Sequence, residues 1–142
     1  MITIYTDGAC SGNPGIGGWG AVILEDNKDE VLLNGGDSNT TNNKMELTAA
    51  IESLKYLKNK DHITIITDSK YVKEGIESWI QNWKKNGWKT SAKKPVKNKE
   101  LWIELDELIS KHNITWEWVK GHAGNVHNEK ADYLARQYIE EI

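Results

Sequence analysis

Residues 2–7 read Ile-Thr-Ile-Tyr-Thr-Asp, and residues 63–68 read Ile-Thr-Ile-Ile-Thr-Asp. Both stretches are rich in β-branched residues, as strands are, and both end on an aspartate. Between them, apolar residues recur at helical spacing over 43–58. A right-handed crossover through that helix would set the two strands parallel and side by side. Because parallel strands end at the same edge of a sheet, we expect Asp7 and Asp68 to lie close together there.

The remaining patterns complete one α/β domain. Strands over 19–24 and 30–33, separated by turn-prone polar residues, would form an antiparallel meander with the first strand. Further along, the predicted elements are one or two helices over 69–79 and 80–85, a helix over 98–112, a strand over 114–119, and a helix from about residue 126. This order predicts a single domain over residues 1–142. Its five-stranded mixed sheet would combine a three-strand antiparallel meander with two parallel strands and be flanked by helices.

Charge is unevenly distributed along the chain. The formal net charge is −3, which argues against an indiscriminate nucleic-acid binder. Residues 78–99, however, contain seven lysines and no acid, so removing their seven charges leaves −10 for the rest of the chain. Most charge runs are simply solvated surface, but a run of one sign repels itself unless a polyanion is near. We therefore interpret residues 79–99 as a basic segment that faces a polyanion.

Composition also restricts the compartment. With 38% hydrophobic and 27% charged residues, the chain is typical of a globular protein. Cys10 is the only cysteine, which rules out an internal disulfide and a cysteine-based zinc cluster. The apolar runs are far shorter than the roughly 20 residues that span a bilayer, and the first residues read as a strand rather than a secretory signal. These observations predict a cytoplasmic protein without a membrane segment.

Two carboxylates at one edge of a sheet repel each other unless a proton or a cation lies between them. Taken singly, Asp7 and Asp68 are explained equally well as a turn residue and a helix cap. Glu46 shifts that balance, because it lies in the first helical turn, on the border of the stripe that faces the sheet. Asp132 lies beside the buried stripe of the last helix in the same way.

Four carboxylates without cysteine indicate a particular class of metal. Oxygen ligands suit a hard ion, which here means Mg²⁺, with Mn²⁺ as the alternative. Two such ions are the standard device for in-line attack on a phosphodiester. The sequence therefore predicts a site for divalent ions formed by these acids.

Four groups of residues, in this order along the chain, resemble the bacterial type 1 ribonuclease H family. They are Tyr5-Thr6-Asp7-Gly8-Ala9-Cys10-Ser11-Gly12-Asn13-Pro14-Gly15, Thr41-Asn42-Asn43-Lys44-Met45-Glu46, Thr67-Asp68-Ser69-Lys70-Tyr71-Val72, and Gly121-His122-Ala123-Gly124 with Asn128-Glu129-Lys130-Ala131-Asp132. The resemblance covers essentially the whole chain. It implies a ribonuclease H-like fold and an endonuclease that hydrolyses the RNA strand of RNA/DNA hybrids with Mg²⁺, leaving 5′-phosphate and 3′-hydroxyl ends. It also implies that the four acids hold two ions and that His122 carries a proton or assists product release.

The same resemblance implies a set of substrate contacts. Residues 79–99 resemble the family's basic protrusion, which binds the phosphates of the DNA strand. The implied contacts are Cys10, Asn13, Asn42 and Asn43 in the minor groove of the hybrid, Lys70 near the RNA backbone, Thr41, Asn98 and the adjoining Trp79 at a phosphate of the DNA strand, and Lys84, Lys85 and Lys89 on the basic protrusion. In many relatives glutamine occupies the position of Lys70. Trp79 and Trp83 are one helical turn apart, and we expect them to pack against each other and the core.

Six of the twelve glycines fall between Gly8 and Gly20. We interpret this stretch as a close backbone approach to nucleic acid, with a glycine-rich hairpin turn as the structural alternative. Two other functions stay open at this point, namely a hybrid-binding module without catalysis and a DNA-directed nuclease or integrase of the same fold. We expect a monomer that needs no obligatory protein partner.

Overall fold

A computed structural model describes residues 1–58, 62–120 and 125–141. Its strands are β1 (Ile2–Gly12), β2 (Gly15–Glu25), β3 (Val31–Thr40), β4 (His62–Thr67) and β5 (Asn113–Trp118). Its α-helices are α1 (Asn42–Tyr56), α2 (Lys70–Glu74), α3 (Ile80–Asn86), α4 (Lys99–Lys111) and α5 (Val126–Glu141), and a π-helical turn (Gly75–Trp79) joins α2 to α3. No helix within the described ranges is long and apolar enough to cross a membrane.

The five strands form one mixed sheet in the order β3-β2-β1-β4-β5. β1 pairs antiparallel with β2, β2 pairs antiparallel with β3, and β1, β4 and β5 run parallel. This topology confirms the mixed sheet expected from the sequence, including the parallel placement of the first and fourth strands.

The meander is longer than the hydrophobic pattern predicts. β1 and β2 stay in continuous register from the pair Ile2↔Glu25 to the pair Gly12↔Gly15, so the glycine-rich stretch is strand rather than loop. Only Asn13 and Pro14 lie outside the strands at the tip. Pairing with the neighbouring strand holds these glycines extended, although glycine has little intrinsic preference for a strand.

Two glycines of β2 make room for α5. A Cβ atom on Gly18 would lie 2.0 Å from the carbonyl oxygen of Ala135, and one on Gly20 would lie 2.3 Å from that of Ala131. The helix backbone therefore rests directly on the strand at these positions. The interpretation of the whole stretch as an approach to nucleic acid is wrong for Gly18 and Gly20, which serve the packing of the helix on the sheet.

Apolar side chains on the opposite face of the sheet pack against α1 and α4. Ile4 and Ile65 project from the sheet with no exposed surface, and Trp102 of α4 is equally buried. The stripe predicted on the first helix is buried as well, at Leu47, Ala50, Ile51 and Leu54. Burial of large side chains of this kind stabilises each by about 1.5–3 kcal/mol relative to exposure.

The stretches over 69–79 and 80–85, predicted as one or two helices, form consecutive helical segments with the π-helical turn between α2 and α3. Gly75 begins this turn, and a Cβ atom there would lie 2.0 Å from Cη2 of Trp102. Beyond the turn, the rings of Trp79 and Trp83 pack with centroids 5.8 Å apart, and Trp83 also contacts Trp102 at 5.5 Å. The expected packing of the two tryptophans against each other and the core is confirmed.

Candidate active site at the carboxyl ends of β1 and β4

The parallel pairing of β1 and β4 places two aspartates at one edge of the sheet. Tyr5 pairs with Ile66, and Asp7 and Asp68 each follow two residues later. Asp7 is buried with 4% of its surface exposed, and Asp68 is half-buried. The strand ends therefore bring the two carboxylates together, as the sequence predicts.

α1 contributes a third carboxylate to the same edge. Thr41 caps the helix by accepting a hydrogen bond from the amide of Lys44, and Glu46 follows with only 6% of its surface exposed. Ligand oxygens of Asp7, Glu46 and Asp68 all lie within 4.8 Å of one another. We call these three residues the acid cluster.

Gly8 allows α1 to approach this closely. A Cβ atom on Gly8 would lie only 2.7 Å from the backbone nitrogen of Glu46. The sequence prediction did not include Gly8 as a functional residue. Its position directly after the strand-end aspartate is the signal that could have identified it, because a helix that brings an acid to the strand end needs a small residue there.

The acid cluster is electrostatically strained without a cation. Burial, the negative charge of Asp68 and a hydrogen bond with the carboxyl group of Asp132 raise the pKa of Asp7 to about 8. Burial and the charges of Asp7 and Asp68 likewise raise the pKa of Glu46 well above its usual value. The amide of Gly8 donates to Oδ1 of Asp7 at 2.9 Å, which works in the opposite direction. Positive charge at this position would relieve the repulsion.

The donor set fits a hard divalent cation. Oε1 of Glu46 is buried and accepts no hydrogen bond from the described part of the chain. A buried, ionised carboxylate oxygen without a donor is costly, and a metal ion is one of the few groups that satisfies it. The acid cluster supplies oxygen ligands only, which is the set that Mg²⁺ and Mn²⁺ prefer.

Asp132 lies next to the acid cluster but is not one of its three members. Its half-buried carboxylate is 2.9 Å from Nη2 of Arg136, one turn further along α5, and it contributes to the raised pKa of Asp7. Asp132, the fourth predicted acid, is thus at the site, and its carboxylate pairs with the guanidinium group of Arg136 on the same helix. His122, the predicted proton carrier, lies outside the described residues, and its role stays a prediction.

A cavity of about 390 Å³ opens over the acid cluster. Among the predicted substrate contacts, Asn42, Asn43 and Lys70 line it directly. Oδ1 of Asn13 accepts a hydrogen bond from the amide of Asn42 at 3.3 Å, which connects the tip of the β1–β2 hairpin to the same rim. The thiol of Cys10 is directed into the protein, 3.4 Å from the carbonyl oxygen of Thr40.

Tyr71 connects the cavity with a group of packed rings, which we call the aromatic cluster: Trp79, Trp83, Trp88 and Trp102. The sequence did not predict a role for Tyr71. Its hydroxyl accepts hydrogen bonds from Asn98 at 3.0 Å and from the indole of Trp102 at 2.9 Å. Its ring meets that of Trp79 edge-on at 5.6 Å. Two predicted contacts, Asn98 and Trp79, are therefore positioned by one tyrosine.

The side chain of Thr41, another predicted contact, caps α1. The neighbouring Thr40 lines a separate cleft of about 610 Å³ together with Asn98.

The basic protrusion, residues 79–99, includes α3 and a short loop that follows this helix. A bridge between Lys89 and Pro95 closes the loop, and Trp88 and the buried Val96 anchor its base in the aromatic cluster. Lys85 and Lys89 are exposed, as expected for residues that meet phosphate. Lys84 differs, because Oδ2 of Asp106 in α4 lies 3.5 Å from its amine. The segment contains no acid in sequence, but Asp106 is an acidic neighbour of Lys84 in space.

Comparison with known proteins places the chain in a family. Residues 1–140 match the sequence profile of the RNase H family. Over 141 residues the chain is 60% identical to the Ribonuclease H of Francisella tularensis subsp. novicida (strain U112), which covers 99% of this chain and 92% of that protein.

Solved structures give the same result. LC9-RNase H1, described as a type 1 RNase H with the type 2 active-site motif, is 30% identical with a TM-score of 0.85, over 99% of this chain and 72% of that one. LC11-RNase H1 in complex with an RNA/DNA hybrid is 22% identical with a TM-score of 0.76, over 99% of this chain and 98% of that one. At that identity the second likeness shows the fold alone. From its sequence match along nearly its entire length, the chain belongs to the RNase H family.

Proposed function

We propose that this protein is an endonuclease that hydrolyses the RNA strand of RNA/DNA hybrids by two-metal-ion catalysis and leaves 5′-phosphate and 3′-hydroxyl ends. The observation that carries the proposal is the acid cluster, whose three carboxylates lie within 4.8 Å of one another in a member of the RNase H family. The cluster lies at the carboxyl ends of parallel strands, where α/β sheets bind their ligands.

The acid cluster and Asp132 would hold the ions, which are Mg²⁺ in this proposal, with Mn²⁺ as the alternative. When bound, divalent ions of this kind activate the attacking water and stabilise the leaving oxygen of a phosphodiester. Burial of Asp7 and Glu46 fixes their oxygens in place before substrate arrives. His122 would carry a proton to or from the reacting groups, a role for which histidine is suited because an unperturbed imidazole titrates near neutral pH.

The groups around the cavity suit a hybrid duplex. Asn13, Asn42 and Asn43 form a polar rim on one side of the acid cluster, and amides of this kind hydrogen-bond to base edges and 2′-hydroxyls in a wide minor groove. On the other side, Tyr71 and Asn98 lead to the basic protrusion, which would bind the phosphates of the DNA strand. LC11-RNase H1, which shares the fold, is in complex with an RNA/DNA hybrid, and this supports the choice of substrate.

A binding module without catalysis is less consistent with the site. Holding Asp7 and Glu46 buried beside Asp68 raises their pKa values and destabilises the fold at neutral pH. Phosphate binding alone would need none of these acids, because carboxylates repel the ligand. The arrangement has a chemical use only if the acids hold cations. A DNA-directed nuclease would share this feature, so the substrate must be tested directly.

The test offers end-labelled RNA/DNA hybrid, duplex RNA and duplex DNA to the protein in Mg²⁺, in Mn²⁺ and in EDTA. We expect cleavage of the hybrid only, within the RNA strand, with 5′ ends that accept label only after phosphatase treatment. Asp7→Asn should abolish cleavage, whereas Asp29→Asn, in the exposed turn between β2 and β3, should leave it intact. Cleavage of duplex DNA, or unchanged cleavage by Asp7→Asn, would refute the proposal.

We also propose that the protein acts in the cytoplasm as a monomer without an obligatory protein partner. The free thiol of Cys10 supports a reducing compartment. Light scattering of the purified protein at micromolar concentration tests the monomer, and a dimer at that concentration would contradict it.

A further inference from the structure

A second cavity, of about 240 Å³, adjoins the acid cluster at Asp68 and does not include Asp7 or Glu46 in its lining. Its walls come from the start of α2 and from the end of β5, and the lining residues are Asp68, Ser69, Lys70, Lys73, Trp118, Val119 and Lys120. Asp68, Ser69 and Lys70 also line the cavity over the acid cluster. The two cavities therefore adjoin each other at these three residues, and a polymer bound over the acid cluster would lie next to the second cavity. We call it the lysine pocket.

Three lysines line the lysine pocket. Lys70 and Lys73 are three residues apart and share one face of α2, and Lys120 follows β5 from the opposite wall. None of the three forms an ion pair with a carboxylate in the described ranges, where Lys28, Lys55, Lys84 and Lys130 do. Asp68 also lines this cavity and offsets one of the three positive charges, so the lysine pocket keeps an excess of positive charge that attracts a further anion.

Trp118 gives the lysine pocket a rigid apolar wall. Its ring stacks on that of Trp116 with centroids 5.4 Å apart and planes within 8°. Both residues lie on β5 at the edge of the sheet, so the stacked pair is held by the strand rather than by a loop. Amines beside an aromatic face suit a phosphate attached to a sugar better than a small inorganic anion, because the sugar can cover the ring.

The lysine pocket is separate from the basic protrusion. The cavity beside the protrusion is lined by Tyr71, Trp79, Trp83 and their neighbours, and it shares no residue with the lysine pocket. Lys70 and Tyr71 are adjacent in α2 and both line the cavity over the acid cluster, but only Lys70 also lines the lysine pocket and only Tyr71 also lines the cavity beside the protrusion. The lysine pocket and the protrusion therefore lie on different sides of the acid cluster and can bind different strands of a duplex.

We infer that the lysine pocket binds a phosphodiester of the strand that is cut, beyond the acid cluster on the β5 side, through Lys70, Lys73 and Lys120 with the sugar against Trp118. This inference rests on the proposed function, which makes that strand the RNA. Lys73, Lys120 and Trp118 thereby become substrate-binding residues, and Lys70 serves both cavities.

The experiment measures the affinity of the full-length protein for RNA/DNA hybrids that carry one uncharged methylphosphonate linkage, moved along either strand. Ca²⁺ replaces Mg²⁺, and intact substrate is verified on every sample. We compare the wild type with Lys73→Gln/Lys120→Gln. The control is Lys58→Gln/Lys111→Gln, which removes the same charge near the carboxyl ends of α1 and α4, where β4 and β5 begin.

The double variant should bind the unmodified hybrid about 5-fold more weakly, and its salt slope should fall by roughly 1 to 2. One neutral linkage in the RNA strand should weaken binding by the wild type and by the control, and leave binding by the double variant unchanged. The inference would be overturned if a neutral linkage in the RNA strand weakened binding equally in all three proteins, or if only linkages in the DNA strand weakened binding. Either result would leave the proposed function standing. A wild type that neither binds nor cuts the hybrid would instead overturn the proposed function.

Discussion

Replacing Asp7 by asparagine should stabilise the protein when no divalent ion is present, although it should abolish activity. The side chain is buried beside Asp68 and Glu46, and its pKa is raised from 3.8 to about 8. A carboxyl group with a raised pKa binds its proton more tightly in the native state than in the unfolded state. Its contribution therefore destabilises the protein progressively as pH rises from about 4 to about 8. An asparagine of the same shape has no such titration.

The magnitude follows from the same values. Between 3.8 and pH 7 lie 3.2 pH units, and at about 1.36 kcal/mol per unit they set an upper limit of about 4 kcal/mol. Neighbouring carboxyl groups can take up protons themselves, which reduces the repulsion, so we expect a gain of about 2 kcal/mol for Asp7→Asn at pH 7. For a chain of this size that gain corresponds to a rise in Tm of roughly 6 °C.

Thermal and urea unfolding, followed by circular dichroism in EDTA at pH 5, 7 and 8, measures this gain. The gain in stability should be smallest at pH 5. At that pH the carboxyl group of Asp7 is protonated in the native state and in part of the unfolded population. Adding Mg²⁺ should stabilise the wild type more than Asp7→Asn and narrow the difference. Asp29→Asn, in an exposed turn, should leave Tm within about 1 °C of the wild type. A variant in EDTA that is no more stable than the wild type at pH 7 would refute the electrostatic reasoning.

Three further perturbations test other parts of the structure. Gly8→Ala should displace the first turn of α1, because the new Cβ would lie 2.7 Å from the backbone nitrogen of Glu46. We expect at least 10-fold weaker Mg²⁺ binding, measured by calorimetry, and a loss of about 1–3 kcal/mol in the free energy of unfolding. Gly18→Ala should lower stability by a similar amount of about 1–3 kcal/mol while hybrid affinity of the folded protein stays unchanged, and a selective loss of affinity would restore the nucleic-acid interpretation of that glycine. Lys85→Gln/Lys89→Gln should lower the salt slope of hybrid binding by roughly 1 to 2, measured against the same change at Lys84, whose pairing with Asp106 should make its effect smaller.

Strand ends were the most predictable part of the site. Asp7 and Asp68 each follow a short β-branched run, and the crossover rule alone places the ends of those runs at one edge. Glu46 could also be placed, since helical spacing sets its direction relative to the buried stripe. The association of Asp132 with Asp7 follows from how α5 rests on the sheet, and the helix pattern could give only the side on which the acid lies.

What the sequence did not reveal depends on contacts between distant segments. The extension of β2 through its glycines is a result of pairing with β1 on one side and of close packing against α5 on the other. Local propensity argues against a strand there, and tertiary contacts override it. Tyr71 is similar, because its role comes from hydrogen bonds with Asn98 and Trp102, 27 and 31 residues away. No local pattern identifies such partners.

The charge distribution connects stability with substrate binding. The net charge of −3 combines seven lysines in the segment of residues 78–99 with a remainder of −10, and that remainder contains both the acid cluster and the lysine pocket. Without cations the acid cluster repels any phosphate that the surrounding lysines attract, so the two sets of charges act against each other. In the proposed mechanism two divalent ions carry four positive charges, which match the four carboxylates of the acid cluster and Asp132. The lysines on both sides then act on the polyanion unopposed, and the same cations that complete the chemistry also remove the repulsion that destabilises the fold.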